Sequence, residues 1–315
     1  MLNNTSDETT GTTGGENWLH GQLAWKGKGD DVRMFTSFST SGDAWNDQRE
    51  VGALDRGTSH GPAVAGAAVV VMAWRGIGAD PHLWYATMEG EGWSGQRALG
   101  DAFVSSHGPA LASLGYDVMI AFKGDGADRQ LYSSLHDGRS WSAPQIFSWG
   151  GSSHAPAIAG DSRGDVYAAW KGIGDDPRLF WARYQDGAWS PQQDVAGGAF
   201  GTSDQPAIAW FKDHSVMAWK GKGNDQRLFW SELRGGQWSD QRVVGEGSLG
   251  SSTGPALAQV KDRLMLAWKG TGADPRIFLS SYDGNTWEPQ REFLGGAAGT
   301  SHTPALASYS ESNID

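Results

Sequence analysis

The stretch Ala218-Trp219-Lys220-Gly221-Lys222-Gly223-Asn224-Asp225-Gln226-Arg227-Leu228-Phe229-Trp230 decides the fold, because its pattern occurs six times in the chain. The aromatic–basic–glycine triplet returns at Trp25-Lys26-Gly27, Trp74-Arg75-Gly76, Phe122-Lys123-Gly124, Trp170-Lys171-Gly172 and Trp268-Lys269-Gly270, at intervals of 48 or 49 residues. Six residues beyond each aromatic stands an acid: Asp31, Asp80, Asp128, Asp176, Asp225 and Asp274. Two further on comes a long polar residue: Arg33, His82, Gln130, Arg178, Arg227 and Arg276.

Working outward, each unit carries a second tryptophan (Trp45, Trp93, Trp141, Trp189, Trp238, Trp287) and then a glutamine (Gln48, Gln96, Gln145, Gln192, Gln241, Gln290). Each closes on a small polar run before Pro-Ala or its equivalent, as in Thr58-Ser59-His60-Gly61-Pro62-Ala63 and Thr300-Ser301-His302-Thr303-Pro304-Ala305. A fixed period of this kind marks a repeat architecture. Within a unit the pattern is that of strands. Pro-Ala-Leu-Ala is short and small, and Leu264-Met265-Leu266-Ala267-Trp268 is an apolar run of buried-strand length. Arg227-Leu228-Phe229-Trp230-Ser231 alternates toward a Gly-Gly or Asp-Gly turn, a hairpin signal, and Trp-x-x-Gln supplies a fourth strand. No window shows a 3.6-residue period, so helices should be nearly absent. Four strands in about 48 residues is one blade of a β-propeller.

The predicted fold is therefore all-β: a six-bladed β-propeller with four antiparallel strands per blade. The order of the strands also predicts how the ring closes. The chain enters at a second strand, Leu19–Lys26, and ends on an unmatched first strand, Pro304–Tyr309. That last strand should complete the N-terminal blade and remove the open sheet edges. The expected organisation is a polar, disordered tail over residues 1–17, a single propeller over 18–309 and a short tail over 310–315.

Composition narrows function. The 315 residues carry a formal charge of −11, with 17 Trp and no Cys. An acidic chain lacks the basic footprint that nucleic-acid phosphates or an anionic membrane surface require. The absence of cysteine removes disulfides, thiolate zinc sites and a cysteine nucleophile. No stretch approaches the roughly 18 apolar residues of a membrane span, and the N-terminus has no apolar signal region. Cytoplasmic synthesis, with release if any by a non-classical route, is the expectation. No cofactor or metal is expected.

Strand alternation places the Gly-rich loops and the blade-to-blade connections on one face. There each groove should combine an aromatic residue, Lys or Arg, Asp, Ser and His, an inventory suited to a neutral polyhydroxylated ligand. The candidate ligand-binding residues are Trp25, Lys26, Asp31, Arg33, Ser59 and His60; Trp74, Arg75, Asp80, His82, Ser106 and His107; Lys123, Asp128, Ser153 and His154; Trp170, Lys171, Asp176, Arg178 and Ser203; Trp219, Lys220, Asp225, Arg227 and Ser252; and Trp268, Lys269, Asp274, Arg276, Ser301 and His302. Bland roles compete at each. The triplet aromatic can be inter-blade packing, the Asp–Arg pair can tie the loop down, and the Ser/His pair can cap a turn. Phe122 and Gln130 mark the third unit as the weakest site. Catalysis needs one constellation unlike its surroundings, and these groups recur in every unit, so no catalytic residue is assigned. A sialidase would carry Ser-x-Asp-x-Gly-x-Thr-Trp boxes, but Ser280-Ser281-Tyr282-Asp283-Gly284-Asn285-Thr286-Trp287 has its Asp one place late.

The repeat Ala-Trp-Lys-Gly-x-Gly-x-Asp-x-Arg-Leu-Phe-Trp, followed by Asp-Gly-x-x-Trp-x-x-Gln and Thr-Ser-x-x-Pro-Ala-Leu-Ala, resembles that of the Photorhabdus-type β-propeller lectins over residues 18–309. That resemblance implies a multivalent carbohydrate-binding protein, a hemagglutinin in behaviour, recognising L-fucose or related deoxy or O-methylated sugars. Its partners would be glycans on cell-surface glycoconjugates, with no nucleic acid and no membrane insertion; self-association into a homo-oligomer is left open. Those lectins have seven blades, whereas six units are counted here. Six-bladed fucose lectins of the Aleuria type share the architecture without this repeat motif. The competing function is a protein-binding scaffold or toxin module using the same face.

Overall fold

The computed structural model describes residues 19–52, 56–67, 69–90, 92–148 and 150–310. The expected N-terminal tail lies outside the described residues, as does the C-terminal one except for Ser310. Six antiparallel sheets form a six-bladed propeller. The first strand of each blade lines the central channel: Ala305–Ser310, Ala63–Gly66, Ala110–Leu114, Ala157–Gly160, Ala207–Phe211 and Ala256–Val260 for blades 1 to 6. Ala305–Ser310 pairs antiparallel with Leu19–Lys26, from Leu19 opposite Ser310 to Ala24 opposite Ala305, so the C-terminal strand closes the ring through blade 1.

Small side chains are needed at the axis because six strands converge there. A Cβ added to Gly160 would stand 1.9 Å from the Ser113 carbonyl of the neighbouring blade, so only glycine fits. Outward, the second strands (Leu19–Lys26, Val70–Arg75, Asp117–Lys123, Val166–Lys171, His214–Lys220, Arg263–Lys269) are almost wholly buried. Each packs its apolar residues into a wedge shared with a neighbouring blade. Trp268, for example, lies in one cluster with Ala218, Leu228 and Trp230 of blade 5.

The fourth strand is broken more than the repeat suggested. In blades 2, 4 and 5 it falls into two pieces, such as Ala188–Trp189 and Gln193–Asp194. The residue after the second tryptophan holds the break. Ser190 donates its N–H to the Arg183 carbonyl at 2.8 Å, and its Oγ accepts the Arg183 N–H at 3.0 Å. Ser94, Ser142 and Ser239 repeat both bonds on Thr87, Leu135 and Glu232, and Asn46 does so on Phe38 with its side-chain carbonyl. A hydroxyl thus replaces a ladder partner at the rim, where the irregular strand would otherwise leave an N–H unpaired. The second tryptophans pack on the preceding blade: Trp238 edge-on to Trp181, Trp287 to Trp230, Trp45 to Phe293 and Trp141 to Tyr85. Three short 3-10 turns, Val195–Gly198, Val244–Gly247 and Phe293–Gly296, lead out of the fourth strands of blades 4, 5 and 6.

Candidate functional site

The Gly-rich loops and the blade-to-blade connections share one face, and the loop is built around its lysine. Lys26 Nζ donates to the carbonyls of Gly29 at 2.8 Å, Asp31 at 3.0 Å and Gly27 at 3.3 Å, and to Ser301 Oγ at 3.2 Å. Lys123, Lys171, Lys220 and Lys269 repeat the arrangement on Ser106, Ser153, Ser203 and Ser252. Arg75 reaches the Gly76 and Gly78 carbonyls and Ser59 Oγ, and its Nε donates to the Ser105 carbonyl at 2.7 Å. Each serine hydroxyl also bonds the glycine carbonyl of the same loop, as Ser203 does to Gly221 at 3.0 Å. Burial pulls the pKa of these five lysines below the ordinary lysine value.

This geometry corrects part of the expected site. An ammonium has three donors, and here all are spent on backbone carbonyls and a serine. Lys26, Arg75, Lys123, Lys171, Lys220 and Lys269 are 4–8% exposed, so they lock loop to connection and do not face a ligand. Ser59, Ser106, Ser153, Ser203, Ser252 and Ser301 are the other half of that lock. The triplet tryptophans Trp25, Trp74, Trp170, Trp219 and Trp268 are at most 1% exposed and offer no ring face to solvent. They end strands buried between blades, and packing claims the whole ring.

What remains exposed is the acid and the residue after next. Asp225 Oδ1 accepts the Arg227 N–H at 3.1 Å and Nε at 3.0 Å, while Oδ2 accepts Nη2 at 2.8 Å. Asp31–Arg33, Asp176–Arg178 and Asp274–Arg276 make the same bidentate pair. The guanidinium holds each of these carboxyls below the usual carboxylate range. The carboxylate lies directly over the glycine that follows the lysine or, in blade 2, the arginine: a Cβ on Gly76 would stand 2.1 Å from Asp80 Oδ2.

Behind each arginine is a ring. Arg33, Arg178, Arg227 and Arg276 lie 5.1–5.2 Å over Phe35, Phe180, Phe229 and Phe278. Each phenylalanine stacks in turn on the buried tryptophan across the ladder, at 6.0 Å for Trp25–Phe35 and 6.4 Å for Trp219–Phe229. The tryptophan therefore seats the ring that seats the arginine. Blades 2 and 3 vary the rim. In blade 2, His82 Nδ1 is 2.7 Å from Asp80 Oδ1 and Trp84 Nε1 donates to Asp80 Oδ2. In blade 3, Tyr132 OH donates to Asp128 Oδ2 at 2.8 Å, and Gln130 offers only its backbone N–H to Asp128.

A second difference separates the four arginine stations. Glu50, Asp194 and Glu292 add a second carboxylate to Arg33, Arg178 and Arg276. The matching residue in blade 5 is Val243, opposite Phe229. Arg227 Nη1 thus has no hydrogen-bond partner among the described residues, and its side chain is the most exposed of the four, at 56%.

The expected histidines leave the inter-blade grooves for the axis. His302, His60, His107 and His154 stand in sequence around the channel mouth, with neighbouring ring centres 5.5–5.9 Å apart, and Asp204 and Thr253 complete the circle. Burial drives the pKa of His60 and His107 down to about 4 and raises that of Asp204. Among the described residues, no group of three or more histidines and acids is placed to hold a metal ion. The box-like segment near Asp283 is a turn device: Asp283 Oδ1 accepts the N–H groups of Asn285 and Thr286.

The fold and site thus define a six-bladed β-propeller whose loop face carries repeated, solvent-facing Asp–Arg stations. No protein-family model matches the chain, and no curated protein matches its sequence. Among solved structures it is similar to the Aleuria aurantia lectin, a fungal six-bladed β-propeller with a fucose recognition mode (12% identity, TM-score 0.65, covering 89% of this chain and 97% of that one). It is similar also to AofleA from Arthrobotrys oligospora (9% identity, TM-score 0.62, 92% and 90%). The intramolecular trans-sialidase of Ruminococcus gnavus aligns at 9% identity and TM-score 0.60 over 81% of this chain and 88% of that one. At these identities the likeness is one of fold.

Proposed function

We propose that the protein is a non-catalytic, multivalent lectin whose sugar sites are the exposed Asp–Arg stations of blades 1, 4, 5 and 6. One observation carries the reading: the same bidentate pair, backed by the same ring, recurs four times on one face and is not required for packing. Each pair is neutral overall yet presents strong donors and acceptors, which suits hydroxyl groups of an uncharged ring. The similarity of fold to fucose-recognising lectins supports a saccharide ligand. L-fucose or a related deoxy or O-methylated sugar is the ligand class, on fucosylated or methylated glycans of cell surfaces. Tying the chain to the seven-bladed Photorhabdus-type lectins rests on the repeat motif alone.

Blade 5 is the strongest station, because Arg227 keeps one guanidinium edge, at Nη1, unengaged. Several weak sites on a rigid disc raise avidity by about 10²–10⁴ when they engage together. The test is calorimetry with methyl α-L-fucoside, and a glycan array, on the intact chain and on Arg227→Gln. The variant should lose one site and the tightest phase of binding, with array signal falling further when Arg178→Gln and Arg276→Gln are added. Undiminished array binding by the triple variant would remove the stations from the ligand.

A further inference from the structure

The opposite face of the disc, where the hairpin turns lie, carries a feature that the sixfold repeat does not generate. Between blades 4 and 5 it opens into a cleft of about 390 Å³, within the range of about 300–1,000 Å³ usual for small-molecule sites. Three arginines line it, Arg163, Arg183 and Arg234. None belongs to the repeat: the residues matching Arg183 in the other third strands are Phe38, Thr87, Leu135, Glu232 and Ser281.

The cleft is built to hold these cations in place. Arg163 lies 5.4 Å over Trp210, Trp210 stacks on Tyr167 at 5.8 Å, and Arg183 lies 5.6 Å over Tyr167. Two guanidiniums are thus fixed at the ends of one aromatic pair, a placement that favours cations over rings. A carboxylate anchors each arginine: Asp161 takes Arg163 Nε and Asp165 takes Arg183 Nε and Nη2 from behind, while Asp213, on the cleft lining, takes Arg234 Nη1. Arg234 Nη2 also meets His214 Nε2, itself 3.2 Å from Glu232 Oε1.

Donors remain in excess after this accounting. Neither terminal nitrogen of Arg163, nor Nη1 of Arg183, nor Nε of Arg234 has a hydrogen bond among the described residues. Trp210 Nε1 and Ser215 Oγ are buried with no partner, and Ser215 is only 1% exposed. A buried hydroxyl without a partner is destabilising, and a ligand acceptor would satisfy it. Asp161, Asp165 and Glu232 lie behind the cleft, with side-chain exposures of 0%, 9% and 13%; Asp213, on its lining beside Arg234, is 76% exposed, and the three arginines are 33–63% exposed. The unengaged guanidinium donors of Arg163 and Arg183 therefore face an incoming ligand away from Asp213, the exposed acid that stands beside Arg234.

We infer that the blade 4–blade 5 cleft is a single binding site for a small ring ligand bearing a carboxylate, held by Arg163, Arg183 and Arg234. Bidentate contact of guanidinium with carboxylate is strong and directional. The site occurs once per chain and lies on the face away from the Asp–Arg stations, so it stands or falls independently of them.

The experiment is calorimetric titration of the full chain with D-glucuronate, N-acetylneuraminate and benzoate, each beside its methyl ester. An acid should bind at one site per chain, at least tenfold more tightly than its ester, and more weakly as salt is raised. The double variant Arg163→Gln, Arg234→Gln should lose at least tenfold, while Arg227→Gln on the other face binds the acid as before. Both substitutions fall on exposed side chains, and an unchanged melting temperature confirms that the fold survives. Binding of the two sugar acids alone identifies an acidic saccharide; equal binding of benzoate identifies a general carboxylate, and either outcome upholds the site. Esters that bind as well as the acids, an undiminished double variant, or no binding by any of the three acids at millimolar concentration would overturn it.

Discussion

Blades 5 and 3 share the lysine lock and a stacked pair of rings beneath the rim and differ at the rim itself. In both, a buried lysine gathers loop carbonyls and a serine, at 2.6 Å for Lys220–Ser203 and 2.7 Å for Lys123–Ser106. In both, a buried aromatic stacks on the ring across the ladder, Trp219 on Phe229 and Phe122 on Tyr132. At the rim, blade 5 sets Arg227 on Asp225, whereas blade 3 answers Asp128 with a tyrosine hydroxyl. The acid's demand for donors is thus structural and can be met in several ways. Arginine at that place is a choice among acceptable partners, which is why its fourfold use points to function.

The sharpest way to break the shared framework is to open the ring. Deleting residues 304–315 removes the strand paired with Leu19–Lys26 and leaves an unpaired edge on blade 1. Cooperative thermal unfolding should disappear from calorimetry. A deletion that melts like the intact chain would mean that the closure contributes nothing to the fold.

Next comes the lock within each blade. Lys220→Met strips the Gly221 and Gly223 carbonyls and Ser203 Oγ of their shared donor. Ser203 Oγ still donates to the Gly221 carbonyl and Gly223 is exposed, so the loss should be about 1–3 kcal/mol by denaturant unfolding. Gln130→Ala, at the rim of blade 3, should stay within about 0.5 kcal/mol. Equal losses would collapse the distinction between framework and rim.

Much of this framework was legible in the sequence and much of the site was not, for one reason. Repetition reveals what every blade must do, so the strand order, the blade number and the closing strand could be read from Trp-Lys-Gly and Pro-Ala alone. The same repetition made Lys26 and its equivalents look like ligand residues. A lysine beside two glycines signals exposed backbone carbonyls as readily as a ligand, and only the three-dimensional loop shows that the ammonium is surrounded by them. Val243 and the blade 4–blade 5 cleft were invisible for the opposite reason: they depend on residues that break the pattern, and a search for periodicity discards them. Ser190 and its equivalents, by contrast, did leave a signal, as Trp-Ser in four units, that the rim strand is irregular.

The channel mouth tests a third, intermediate layer, repeated in four units and altered in two. His60 and His107 fall from the ordinary 6.5 to about 4 in the folded chain. Between those values the unfolded state binds more protons, so stability is full above pH 6.5 and declines as pH drops toward 4. The groups facing them are His302, His154, Arg75, Lys26 and Lys123, none of which welcomes added positive charge. Asp204, raised by burial, acts with the opposite sign on the far side of the ring. A loss of about 1–3 kcal/mol is expected by pH 5.5, before the Asp–Arg carboxylates, held below 3.8, begin to protonate. The variant His60→Asn, His107→Asn should flatten the melting-temperature profile in this window; an unchanged slope would clear these two histidines of the effect.

The smallest change in stability should carry the clearest change in binding. Val243 faces Phe229 where blades 1, 4 and 6 place Glu50, Asp194 and Glu292 opposite their own rings. Val243→Glu copies that arrangement into blade 5 and supplies a carboxylate for Arg227 Nη1. An exposed ion pair of this kind contributes about 0–1 kcal/mol, so melting should barely move. The free donor edge, however, is consumed, and the blade 5 station should bind methyl α-L-fucoside no better than its three counterparts, with calorimetry collapsing from two phases to one. Conversely, Glu292→Val should release Arg276 and raise blade 6 to the affinity of blade 5. If neither exchange alters sugar binding, the unengaged guanidinium edge is not what distinguishes one blade from the next, and the ranking of stations must be sought in the loop tips at Lys222 and Thr271 instead.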